Sequence, residues 1–448
     1  MPHTTHPEAP STAPPHADAA PFTVGVALDG AGAHPAAWRE PDADASALFA
    51  PAHWQRLVGE LDDAGADYVA LTDALAPQHE LLGAGAGSEN GVTGRLDALL
   101  LLSWIAPRTH RIGLIPTVTT THTEPFHVAT ALQTLDHVSS GRAGWQLRIS
   151  ASAAEADAFG RREAPAIDAA AVLAGEGDAA LDELLAEAAD VAEVTSRLWD
   201  SWEDDAIIRD AATGRFLDRN RLHHVRFESA RFSVAGPSIV PRSPQGRPPV
   251  ALLAHSDAVY RLAAEAADVV FVTPEPQDPG SSTSGGRSAD DIVAAVRRAE
   301  AEARASGRRR EREPLRIVAD LVVALDGAGD GAGTGVGETG AERLARLDAL
   351  GPVLRSDARV GTGTAAEIAD LIAAWREAGI EGVRLRPLAQ PADVHAIARD
   401  LLPELHRRGL AQAIPVEADT PSLRERFGLD AAINRYAAAA AQTEEVAA

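Results

Sequence analysis

Apolar residues fall into short runs that alternate with longer stretches of helical spacing. The first run, 22–28, ends in Asp-Gly, and residues 52–64 then place Trp54, Leu57, Val58 and Leu61 on one helical face. Further runs stand at 68–72, 111–117, 144–149, 249–254, 269–272, 315–325 and 382–386. Between and after them, helices are expected over 96–106, 126–138, 255–267, 290–306, 365–378 and 393–408. Strands that alternate with helices predict a parallel sheet joined by right-handed crossovers. Eight runs favour closure into a (β/α)8 TIM barrel over an open doubly wound sheet. An open dinucleotide-binding sheet would want a Gly-rich phosphate turn after its first strand. Here that turn reads Asp29-Gly30-Ala31-Gly32-Ala33-His34, and no later acid is well placed for a ribose.

Three stretches interrupt the alternation. A large insertion, 150–247, separates the fourth and fifth strands. It carries an Ala/Glu-rich helix over 179–202 and a hairpin-like region over 207–235 with a turn at 211–214. Loops at 276–287 and 326–340 are polar or Gly-rich, and the GxGxG spacing in the second reads as a flexible linker, not a phosphate cradle. The barrel is expected to span 22–430, between a disordered N-terminal tail at 1–21 and an Ala-rich C-terminal tail at 431–448.

Composition narrows the function. Acidic residues number 65 and basic residues 41, a formal charge of −24 that opposes nucleic acid and anionic membranes as partners. The chain has no cysteine, which removes disulfides, thiolate nucleophiles and iron–sulfur clusters. It also has no lysine, which removes Schiff-base chemistry and the Walker A cradle. No apolar run reaches the roughly 18 residues of a membrane helix. The N-terminus lacks the basic n-region of a secretory signal, so a cytoplasmic location is expected.

In a barrel, chemistry gathers where the strands end. Those ends are rich in hydroxyls and amides: Thr72-Asp73 after strand two, Thr117 through His122 after strand three, Gln146 through Ser150 on strand four, and His255-Ser256 after strand five. No carboxylate pair suits glycoside hydrolysis, no nucleophile–base set stands out, and the 15 histidines show no metal-ligand spacing. Such a mouth suits a cofactor that performs the reaction itself, and no catalytic side chain is assigned.

Residues 134–150, TLDHVSSGRAGWQLRIS, resemble the signature of the bacterial luciferase-like, flavin-dependent monooxygenases. The branch is the one that holds nitrilotriacetate monooxygenase, dibenzothiophene-sulfone monooxygenase and pristinamycin IIA synthase. The segments RIGLIPTVTTTHTEPFHVA (111–129), LWDSWEDDAIIRD (198–210), GPSIVPRSPQGRP (236–248) and SLRERFGL (422–429) are similar to the same branch, in order along the chain. The resemblance implies a two-component system. A separate NAD(P)H-dependent flavin reductase supplies reduced FMN (FMNH2), which reacts with O2 at the barrel mouth to form a flavin C4a-peroxide that oxygenates a small organic substrate. It also implies a homodimer or larger homo-oligomer.

Carried onto this chain, the cofactor positions are Asp73, Thr117, Gln146, Ser150 and Ser256, with Ser256 at the FMN phosphate. Each has a plainer role available: Asp73 capping a turn, Thr117 as a β-branched strand residue, Ser256 as a helix N-cap. The family's Trp-Asn-Ile-Val-Thr-Ser becomes Trp145-Gln146-Leu147-Arg148-Ile149-Ser150, and its Gln-Ala-Gly-x-Ser becomes Leu253-Ala254-His255-Ser256. Its downstream His and Arg-Tyr pair have no equivalent near Arg161 and Arg162. The alternatives are therefore a non-catalytic partner subunit that binds flavin weakly or not at all, and, ranked last, use of the deazaflavin F420. Convergence of Gln146, Arg148, Arg161 and Ser256 with Asp73 and Thr117 on one pocket would favour the enzyme. Pairing of Arg148 with a buried acid would count against it.

Overall fold

The computed structural model describes residues 21–78, 91–173, 176–275, 286–308, 313–328, 337–412 and 420–437. All but the edges of the expected tails (1–21 and 431–448) and most of the loops at 276–287 and 326–340 lie outside the described residues.

Each of the eight apolar runs is a strand. They are β1 (Thr23–Leu28), β2 (Tyr68–Leu71), β3 (Gly113–Thr119), β4 (Trp145–Arg148), β5 (Val250–Leu253), β6 (Val269–Val272), β7 (Arg316–Leu325) and β8 (Gly382–Pro387). Every neighbouring pair is parallel, and β1 pairs with both β2 and β8, so the sheet closes into an eight-stranded barrel. One further strand, Arg359–Gly363, pairs with the upper half of β7 at Leu321–Leu325. It exists because β7, with ten residues, outruns β6, which covers only Arg316–Ala319 of the same edge.

Helices pack outside the barrel along the faces their spacing predicts. Pro51–Ala64 buries Trp54, Leu57, Val58 and Leu61, and stops at Gly65, whose φ of 84° suits a residue without a Cβ. Between β4 and β5 the chain forms a 22-residue helix, Ala179–Asp200, and two small hairpins. The first hairpin, Ile207–Asp210 with Arg215–Leu217, turns at residues 211–214 as expected. Among the described residues, no helix is long and apolar enough to cross a membrane.

The N-terminal end of the barrel is sealed with apolar side chains. Tyr68, Ile115, Val269, Phe271 and Val318 point inward, and Leu423, Phe427 and Leu429 from the C-terminal segment enter from below. The ring of Tyr68 lies 5.4 Å from Phe427 and 6.3 Å from Phe271. Two glycines make the room. A Cβ on Gly25 would fall 2.1 Å from the Tyr68 ring, and one on Gly113 would fall 2.6 Å from Leu423. The plug is held by Arg426, whose guanidinium donates to the carbonyls of Asp67 (2.8 Å) and Arg111.

Candidate active site at the barrel mouth

The same barrel is charged at its C-terminal end. Asp320 on β7 stands level with Arg384 on β8 in the strand register. The two form a two-pronged ion pair, Arg384 Nε to Asp320 Oδ1 at 2.7 Å and Nη2 to Oδ2 at 2.6 Å, with both side chains buried. Arg384 also donates to Gln146 Oε1 at 2.6 Å and lies 3.8 Å above the Phe271 ring. One step higher, Arg386 pairs with Asp357 at 2.7 Å, Asp357 approaches His255 at 3.3 Å, and His255 meets Thr273 at 3.0 Å. Burial disfavours ionisation of Asp357, but Arg386 and His255 override it and hold the carboxyl at about 2. The His255 imidazole is shifted down by burial despite the facing Asp357, which favours its neutral form.

The five positions predicted from sequence, Thr117 and Gln146 within their strands and Asp73, Ser150 and Ser256 just past theirs, are in two different states. Three are engaged within the protein. Asp73 accepts from the N–H groups of Ala74 (2.7 Å) and Ala98 (2.8 Å), the latter opening the helix Ala98–Ile105. Its pKa rises to about 6 through burial, with those two bonds opposing the rise. Gln146 is held by Arg384. Ser150 accepts from the N–H of Ser152 at 3.1 Å, and its own N–H donates to Thr121 Oγ1 at 3.0 Å. The other two are not so engaged. Thr117 is buried beside Gln146 in the register, and its Oγ1 has no hydrogen-bond partner. Ser256 occupies the N-cap of Asp257–Ala266, yet its side chain makes no capping bond. A buried hydroxyl without a partner carries a cost that a polar ligand group would remove.

The two arginines raised as replacements for lost contacts separate from one another. Arg148 donates to Thr119 Oγ1 (2.9 Å) and to both oxygens of Glu155 (2.9 and 3.1 Å), whose side chain is fully buried. Glu155 in turn accepts from the N–H of Leu75, so the pair ties β4 to the loop after β2 beside Asp73. Arg161 lies on the surface, paired with Glu124, and does not join the mouth.

Sequence reading missed the Asp320–Arg384 pair and the Asp357–His255 contact. A signal for the pair was present: a lone acid, Asp320, in the middle of the run 315–325, and two arginines, Arg384 and Arg386, inside 382–386, on strands that become neighbours. Asp357 had no comparable signal, because it lies in an irregular connection before the unpredicted strand Arg359–Gly363. Asp29, at the end of β1, also faces the mouth, where burial raises its pKa although Arg95 and Arg386 pull it down.

Family comparison fits this barrel and its polar mouth. The model of the luciferase-like monooxygenases matches residues 31–382. The chain belongs to the luciferase-like monooxygenase family. It is accordingly an oxidoreductase, and the matched relatives are named as monooxygenases. It is 27% identical to N-acetyl-S-(2-succino)cysteine monooxygenase of Bacillus subtilis, over 92% of this chain and 98% of the relative. It is 28% identical to nitrilotriacetate monooxygenase component A of Aminobacter aminovorans, over 91% and 96% respectively. Among solved structures, long-chain alkane monooxygenase superposes with a TM-score of 0.71 at 20% identity over 92% of this chain and 96% of its own, a likeness of fold. The resemblance seen in residues 134–150 thus extends across the barrel.

Proposed function

We propose that the chain is the oxygenase of a two-component system, using reduced FMN delivered by a separate NAD(P)H-dependent reductase to oxygenate a small organic substrate. The observation that carries this reading is the match to the luciferase-like monooxygenase model over residues 31–382. The geometry of the mouth supports it through Thr117, whose buried hydroxyl lacks a partner at a position the family uses for flavin. Reduced flavin, when bound, supplies the two electrons that activate O2, so that one oxygen atom enters the substrate and the other leaves as water.

The residues of this chain would act by binding and shaping. Thr117 offers a hydroxyl to a polar edge of the flavin, and Ser256 offers its free hydroxyl and the helix N-terminus behind it to the phosphate. Asp73, Gln146 and Ser150 act through position: their hydrogen bonds fix the loop after β2, the inner wall and the turn after β4 that frame the ring. The Arg148–Glu155 pair closes one side of the mouth, and the Asp320–Arg384 pair, net neutral and locked in place, braces the wall below it through Gln146. The homo-oligomer implied by the resemblance belongs to the same proposal.

The engagement of Gln146 and Arg148 within the protein favours a second reading, a barrel that keeps the scaffold but binds flavin weakly and serves as a partner subunit. One experiment separates the two. The purified chain is titrated anaerobically with reduced FMN, then mixed with O2 and candidate substrates. Saturable micromolar binding, followed by O2 uptake coupled to product without matching H2O2, supports the oxygenase. Absence of binding supports the partner subunit, and binding of reduced F420 alone would reassign the cofactor.

A further inference from the structure

The loop that leaves β3 holds a residue in a conformation its side chain disfavours. His122 has a φ of 74°, in the left-handed region. Six of the described non-glycine residues share that region, and His122 alone among them also carries a buried side-chain atom without a hydrogen-bond partner, its Nδ1. The residue is 8% exposed, and its ring stacks on Phe159 at 5.4 Å and 21°. Its neighbours pin the backbone. Thr120 donates to the Arg148 carbonyl through its N–H (2.8 Å) and its Oγ1 (3.1 Å). Thr121 Oγ1 accepts from the N–H of Ser150 at 3.0 Å, and Thr123 Oγ1 donates to the Thr119 carbonyl at 2.6 Å. An unfavourable backbone and an unsatisfied buried nitrogen therefore coincide at one residue, beside the turn that carries Ser150. Strain that its surroundings over-determine clusters at binding sites, and a buried polar atom without a partner gains when a ligand supplies one.

We propose that His122 is a further flavin-contact residue, its Nδ1 held by the pinned loop and by Phe159 to hydrogen-bond a polar edge of the reduced isoalloxazine ring. The proposal rests on the oxygenase reading, because it needs flavin in the mouth. Two observations favour the ring over the phosphate as the partner. Ser256, assigned to the phosphate, follows β5, and β4 stands between that strand and β3. Burial, joined by the Arg162 guanidinium, lowers the His122 pKa against the pull of Glu155 and Glu187, which favours a neutral imidazole. A neutral ring nitrogen pairs with the N–H and C=O groups of a flavin edge, and lacks the charge that strengthens a bond to phosphate. With Thr117 on β3 itself, one strand and its loop then supply two contacts to the ring.

The test is anaerobic titration with reduced FMN of the full chain and three variants, read as a dissociation constant and as the absorbance spectrum of the bound flavin at saturation. His122→Gly adopts the left-handed backbone without strain and removes the imidazole. His122→Phe keeps a ring against Phe159 but not the nitrogen, and His122→Asn tolerates the same backbone and returns a polar atom near the place of Nδ1. The expected result is a dissociation constant raised about tenfold in His122→Gly and His122→Phe, and within about threefold of the original in His122→Asn. The bound spectrum should shift in His122→Gly, because a contact at the ring edge perturbs the chromophore and a phosphate contact does not. Unchanged affinity in His122→Gly or His122→Phe, a loss in His122→Asn as large as in His122→Gly, or identical bound spectra would overturn the assignment while leaving the oxygenase reading in place. No binding of reduced FMN to the unaltered chain would overturn both.

Discussion

The two ends of the barrel use the same strands for opposite purposes. At the N-terminal end, inward positions are Tyr68, Ile115, Val269 and Phe271, sealed from below by Leu423, Phe427 and Leu429. Two residues beyond Ile115 and Phe271 stand Thr117 and Thr273, and the neighbouring strands add Gln146, Asp320 and Arg384. Apolar packing is forgiving in detail and gains stability in proportion to buried area. Buried charge is unforgiving, because each member costs several kcal/mol unless its partner is present. The lower end therefore reads as stability and the upper end as function, a division that mutation can challenge from either side.

The largest effect is expected at the Asp320–Arg384 pair. Asp320→Ala strands a buried guanidinium and should destabilise the chain by about 3–5 kcal/mol in urea denaturation, whereas Asp320→Leu combined with Arg384→Met should recover most of that loss. If the single and double variants lose equal stability, the pair is not the strict unit described here. Phe427→Ala at the opposite end should cost about 3–5 kcal/mol by opening a cavity beneath Tyr68, while flavin affinity at the mouth stays unchanged. A coupled loss of flavin affinity would merge the two ends.

Next in size is a pH effect at the lower end. Asp67 receives the N–H of Val24 at 2.7 Å, and burial raises its pKa from 3.8 to about 7. The folded chain thus holds a proton that the unfolded chain releases. Its stabilising contribution is full below about pH 4 and is lost as pH rises to about 7, on the order of 2–4 kcal/mol. Asp67→Asn keeps an acceptor for Val24, so its melting temperature should decline less over that window than that of the unaltered chain.

A smaller effect separates two residues the sequence treated alike. Asp73→Ala removes the acceptor for the N–H groups of Ala74 and Ala98, and should lower stability by about 1 kcal/mol as well as weaken flavin binding. Thr117→Val removes a hydroxyl that bonds to nothing in the protein, so it should leave stability within about 0.5 kcal/mol of the original. Equal melting temperatures for the two variants would remove the distinction between engaged and unengaged positions.

The barrel was legible because burial on both faces leaves long apolar runs, and each of the eight strands lies on one of them. The strand Arg359–Gly363, RVGTG, was not. It holds one aliphatic residue and two glycines, and owes its existence to the overhang of β7, a tertiary fact. The expected helix at 393–408 is a run of three pieces, Ala392–Ala396, a π-turn at Ile397–Leu401 and Leu402–Arg407. The wide turn falls just ahead of Pro403, which cannot donate to the helix ladder. At the mouth, hydroxyls and amides were visible at strand ends, but their state was not. Whether Gln146 is free depends on Arg384, some 240 residues later, and whether Ser256 caps its helix depends on a rotamer.

The central claim is that Thr117 presents a buried, unpartnered hydroxyl to reduced FMN at the barrel mouth. Anaerobic titration of the unaltered chain and Thr117→Val with reduced FMN tests it most directly. The account predicts saturable binding to the unaltered chain and a dissociation constant raised about tenfold in Thr117→Val, with both proteins melting together. Equal affinity in the two proteins, or no binding to either, would contradict it.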